Sequence, residues 1–99
     1  MLYAFISTDK LNSLAKRLEV RPAHVERLIK LKNQGRLIIA GPHPAIDSAD
    51  PGPAGFTGSL VVAEFDSLAA AKDWAKEDPY MVHGVYDSIV VKPYNMVLP

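Results

Sequence analysis

Leu2-Tyr3-Ala4-Phe5-Ile6-Ser7-Thr8 is the stretch that decides the fold. In a strand, alternation sets Leu2, Ala4 and Ile6 on one side and Tyr3 and Phe5 on the other. Both sides are apolar, so this strand is predicted to be covered on both faces. The residues that follow must supply at least one of the two covers.

Downstream, residues 9–18 read as a short helix with Leu11, Leu14 and Leu18 at helical spacing. Val20-Arg21-Pro22 interrupts it, because proline lacks an N–H and biases the residue before it away from the α region. Pro22 suits the first turn of a second helix. That helix is predicted to run to about Gln34, with Val25, Leu28, Ile29 and Lys32 in register and Gly35 as the stop. Residues 37–40 read as a strand ending at Gly41-Pro42. The Pro-, Gly-, Asp- and Ser-rich stretch 42–58 reads as one long loop.

A strand is predicted over 59–65, then a helix capped by Asp66 or Ser67 and running to about Glu77. Leu68, Ala71, Trp74 and Ala75 form its buried side, and Asp78-Pro79 ends it. The last strand covers 88–92. The order β-α-β, loop, β-α-β predicts an α+β, ferredoxin-like split βαβ fold: an antiparallel sheet with helices on one face. Helices of this size cover only that face, so the apolar residues opposite call for a second subunit and a homodimer. The closing Tyr94-Asn95-Met96-Val97-Leu98 is apolar enough to dock across the seam.

The chain has 99 residues, which fits a single domain over 1–99. It has no cysteine, which removes disulfides, thiolate metal sites and a Cys nucleophile. Eleven basic and eleven acidic residues cancel, whereas a nucleic-acid binder needs a basic excess to neutralise phosphates. The apolar start has no basic flank and is too short for a signal segment or a bilayer span, so no membrane role and a cytoplasmic location are expected.

Three histidines differ in context. His24 falls in the first turn of the predicted second helix, on the edge of its apolar stripe. His43 lies in the loop and His83 in a turn before the last strand, where histidines are most often solvated. Their spacing fits no common metal site, and no metal or cofactor is expected. Asp78 continues the buried face of the later helix but sits at its C-terminal end, where the dipole disfavours a carboxylate without a partner. In a split βαβ fold the two helices lie side by side, so His24 and Asp78 could meet. A carboxylate on one imidazole nitrogen fixes the tautomer and leaves the other nitrogen to act as a base. The alternative is that His24 is an ordinary helix residue and Asp78 a turn former before proline. Gly41-Pro42 and Gly55-Phe56-Thr57-Gly58-Ser59 bracket the loop, either as plain turns or with backbone N–H groups for a polar ligand.

Several of these segments resemble the YciI-like (YCII-related domain) proteins nearly end to end: Arg21-Pro22-Ala23-His24, Gly35-Arg36-Leu37 with Ala40-Gly41-Pro42, Gly55-Phe56-Thr57-Gly58-Ser59, Asp78-Pro79-Tyr80 and Val91-Lys92-Pro93-Tyr94. Their order and spacing carry the resemblance. It implies a dimeric ferredoxin-like α+β barrel, similar to muconolactone isomerase-like folds, and an active site built around a His–Asp dyad that falls on His24 and Asp78. One branch of the family is associated with dehydrochlorination of chlorinated aromatics. The expectation is a cofactor-independent lyase or isomerase acting on a small-molecule ligand. His24 would move the proton and Asp78 would orient it. Arg21 would supply charge, and Gly41, Pro42, Ser59 and Tyr80 would line the substrate site. A non-enzymatic dimeric module that binds a small ligand is the alternative.

Overall fold

The computed structural model describes residues 1–99. Its elements are β1 (Leu2–Asp9), α1 (Leu14–Asn33), β2 (Leu37–Pro44), a 3₁₀ turn (Gly52–Ala54), β3 (Phe56–Glu64), α2 (Leu68–Lys76), α3 (Pro79–Val82) and β4 (Tyr86–Tyr94). The four strands form one antiparallel sheet in the order β2-β3-β1-β4. This is the ferredoxin-like α+β arrangement, with the helices on one face.

Pairing decides which side chains meet the helices. Tyr3, Phe5 and Ser7 of β1 stand opposite Ala63, Val61 and Ser59 of β3 and beside Val91 and Ile89 of β4. Tyr3, Phe5, Val61 and Ala63 join Leu31 of α1, Phe65, and Ala71 and Ala75 of α2 in the main core. Ala71 and Ala75 are small enough to let α2 lie close on the sheet, and Trp74 packs edge-on against Phe5 at 5.1 Å. A second cluster of Val20, Tyr80, Val85 and Tyr86 fills the end of the molecule where α3 turns back to β4. The opposite sheet face carries Ile6, Ile39 and Val90, which are 40%, 51% and 47% exposed.

Three readings of the sequence need correction. The predicted break at Val20-Arg21-Pro22 does not exist, since α1 is one helix of 20 residues with Pro22 inside it. Pro22 and Leu18, whose carbonyl the proline leaves without its donor, both lie on the exposed side. Buried Arg17, Val20, His24 and Leu31 hold a single face on both sides of it. The helix also starts at Leu14, because residues 10–13 turn through Asn12 with φ of 59°.

The loop predicted over 42–58 is mostly strand at its two ends: β2 continues to Pro44 and β3 begins at Phe56. Prolines are admitted because β2 is an edge strand. Gly58 is needed at the entry to β3, where a Cβ would collide with the Ser7 carbonyl oxygen. Finally, Asp78-Pro79 ends α2 but also begins α3, a helix the sequence reading lacked.

Candidate active site

His24 lies in the middle of α1 rather than in a first turn, and it is 6% exposed. Its Nδ1 faces both carboxylate oxygens of Asp78, at 2.9 and 3.1 Å. Asp78 is held in turn: its Oδ1 accepts the Tyr80 backbone N–H at 2.9 Å, and it stands as the N-cap of α3. The expectation that this carboxylate faces an unfavourable helix end is therefore reversed, because an N-cap favours it. With Nδ1 engaged, Nε2 is the ring nitrogen left without a protein partner.

Tyr80 packs its ring on the imidazole, with centroids 4.0 Å apart and planes 14° from parallel. The same ring lies 4.7 Å from the guanidinium carbon of Arg17, so one aromatic side chain touches two cationic or ionisable groups. Arg17 and His24 are two helical turns apart on α1 and share its buried face. Arg17 is 5% exposed. Its Nη1 donates to both oxygens of Asp9, at 2.8 and 2.7 Å, and its Nη2 donates to Ser59 Oγ at 2.6 Å. The Ser59 backbone N–H donates to Ser7 Oγ at 2.9 Å, which ties the network to the two central strands.

Burial acts on the ionisable groups around this network. It raises the Asp9 carboxyl above its usual value even though Arg17 pulls the other way. It also raises the Tyr80 phenol, and it pushes the Tyr86 phenol up to about 12. All three shifts have the same cause, loss of water from the charged form.

Arg17, Arg21, His24, Gly41, Pro42, Phe56, Ser59 and Tyr80 are among the residues that line a cavity of about 350 Å³ between α1 and the sheet. Arg21 is an exposed rim residue. Gly41 and Pro42 are wall residues of an edge strand, paired with Leu60 and Ser59, and not a loop cradle. Asp78 stands behind His24 and does not line this cavity. His43 and His83 are exposed and lie outside it. No group of three or more His, Asp or Glu side chains comes together in a way that could hold a metal ion. No helix is long and apolar enough to cross a membrane.

The sequence reading missed Arg17 and Asp9. The signal for Arg17 was present: it stands seven residues before His24, on the same face of a continuous helix. Placing a helix break at Pro22 hid that register.

Comparison with known proteins adds four findings. The YCII-related domain matches residues 1–95. Protein YciI of Escherichia coli is 59% identical over 97 residues, spanning 98% of this chain and 99% of the relative. An uncharacterized protein of Haemophilus influenzae is 52% identical over 97 residues, again spanning 98% and 99%. Among solved structures, 5-chloro-2-hydroxyhydroquinone dehydrochlorinase of Burkholderia phenoliruptrix, in complex with 2,5-dihydroxybenzoquinone, superposes with a TM-score of 0.83. That match has 23% identity and covers 96% of this chain and 94% of the other.

Proposed function

The chain belongs to the YCII-related domain family, and from that premise we propose that it is a small-molecule enzyme in which His24 moves a proton on a small anionic, enolisable organic substrate. The observation that carries this reading is the division of labour on one imidazole. Asp78 holds Nδ1, and the ring lines a cavity wide enough for a single-ring molecule. That leaves Nε2 to take a proton from a substrate C–H. The bonding pair of that C–H delocalises onto a neighbouring carbonyl oxygen, and Arg17 is the cation that stabilises the resulting enolate. The charge on His24 is balanced by Asp78. Return of the proton at another carbon gives an isomerase, and loss of an anionic leaving group from the adjacent carbon gives a lyase. Asp78 is a positioning residue in this scheme, and no step calls for a cofactor.

The chain is also proposed to work as a homodimer. The support is the apolar sheet face at Ile6, Ile39 and Val90, which none of its own elements covers.

The test uses 2,5-dihydroxybenzoquinone, the ligand of the structural neighbour, and follows exchange of its ring C–H with D₂O by NMR. The protein is expected to accelerate exchange. His24→Ala should reduce that acceleration by about 10²-fold or more, the range for loss of a positioned base. Asp78→Asn should reduce it less, and Arg17→Met should weaken binding as well. Binding without faster exchange, with an affinity that survives His24→Ala, would instead favour a ligand-binding module.

A further inference from the structure

His24 is not the only polar side chain that α1 turns towards the junction of α2 and α3. Arg27 stands one turn further along, and residues three apart share a helix face. Its Nη2 donates to the Trp74 carbonyl at 2.8 Å, and its guanidinium carbon lies 4.4 Å from the centre of the Trp74 ring. Trp74 belongs to the last turn of α2, four residues before Asp78. One face of α1 therefore grips this short segment twice, through His24 on Asp78 and through Arg27 on Trp74.

The Trp74 carbonyl is one of those that a helix end leaves without a donor, and a neutral donor would satisfy it. Arg27 instead brings a whole charge partly out of water. Its Nη1 is buried with no hydrogen-bond partner, and no carboxylate lies within ion-pair distance of it. Both features are costly. Burial lowers the Arg27 pKa, while Asp78, ahead of Glu77, acts the other way. The carboxylate that holds His24 Nδ1 thus also supplies the field that offsets this charge.

The other charges around the imidazole do not take this place. Asp9 of β1 is bonded to Arg17, so that pair is neutral as a unit. Arg21 on α1 and Glu77 after α2 are exposed, where water and salt screen them. Tyr80 of α3 and Tyr86 of β4 pack on the ring, and burial keeps both phenols protonated. β2 and β3 add no charged side chain to the cavity wall.

We propose that Arg27 is a positioning residue for the His24–Asp78 pair, a fixed positive charge at the α2–α3 junction that keeps the imidazole a neutral base. It rests on the proton-transfer reading only in the use made of that base. A lone carboxylate on Nδ1 favours imidazolium, which cannot accept a proton. A second cation near the same carboxylate opposes this, since protonating the ring then sets two positive charges against one negative one.

The test follows the His24 ring by NMR pH titration in the intact protein. Arg27→Met keeps the stem and removes the charge, and the His24 midpoint should rise by about half a unit or more. Arg27→Gln, which keeps a donor for the Trp74 carbonyl, should give the same sign and serves if the methionine variant does not fold. Arg27→Lys keeps the charge and should return the midpoint close to that of the wild type. A purely structural cap predicts the opposite sign: Asp78 loses its place, imidazolium loses its carboxylate, and the midpoint falls as in Asp78→Asn. A fall, no change, or an equal rise in Arg27→Lys overturns the proposal. The low-pH limb of 2,5-dihydroxybenzoquinone exchange should move up together with the ring titration in Arg27→Met. A wild type that accelerates no exchange removes the proton-transfer reading, and the ring titration still decides on Arg27, so the two failures are distinct.

Discussion

The Tyr86 hydroxyl is buried beside Ser7 and Ser59, and loss of water lifts its pKa from 10.0 to about 12. The sign of the consequence follows from where the proton stays. An unfolded chain releases it near 10, while the folded chain holds it until about 12, so stability falls as pH rises through that window. The loss reaches at most about 3 kcal/mol. Tyr86→Phe should flatten the decline in denaturation midpoint between pH 10 and 12. An unchanged slope would show that the ring is solvated. At this scale the site was half legible. His24 and Asp78 stand out because one ionisable side chain breaks each of two apolar stripes. Arg17 shares the register of His24, but the predicted break at Pro22 hid it, and a lysine- and arginine-bearing helix usually turns such residues to water. Only the far partners, Asp9 on β1 and Ser59 on β3, explain its burial, and no local pattern reports them.

Elements carry the larger correction. Proline at the ninth position of a helix normally ends it, and the reading of two short helices followed that rule. The rule yields here because the buried face runs unbroken from Arg17 through His24 to Leu31, while the Leu18 carbonyl that loses its donor lies on the exposed side. Pro22→Ala would restore that hydrogen bond and should stabilise the protein. The expected gain is about 1–2 kcal/mol, less than the full helix-interior cost of proline because the unfolded chain also regains freedom. A lower melting temperature in the variant would mean that the packing of α1 needs the proline itself. The same tolerance explains the strands. β2 extends through Pro42 and Pro44 only because it is an edge, and edge position is a property of the sheet, which residues 42–44 alone do not reveal. The remaining strand and helix positions were legible from period and punctuation, since Gly35, Ser67 and Pro79 act where local chemistry says they should.

For the whole molecule, the balance of faces sets the expectation. One face of the sheet is sealed by α1 and α2, while the other leaves Ile6, Ile39 and Val90 substantially in water. If a second copy covers them, Val90→Glu should shift the protein towards monomer in sedimentation experiments while its far-UV circular dichroism stays unchanged. A wild type that sediments as a monomer would remove the homodimer from the account. The prolines of β2 bear on how such assembly is limited. A sheet can grow in two ways, sideways by adding strands or face against face. Two of the eight residues of β2 have no N–H to offer a newcomer. Sideways recruitment, the route that runs on without end into fibrils, is therefore blunted on that rim. Stacking by faces closes after one partner, so the chain can present a greasy surface and still assemble to a finite size.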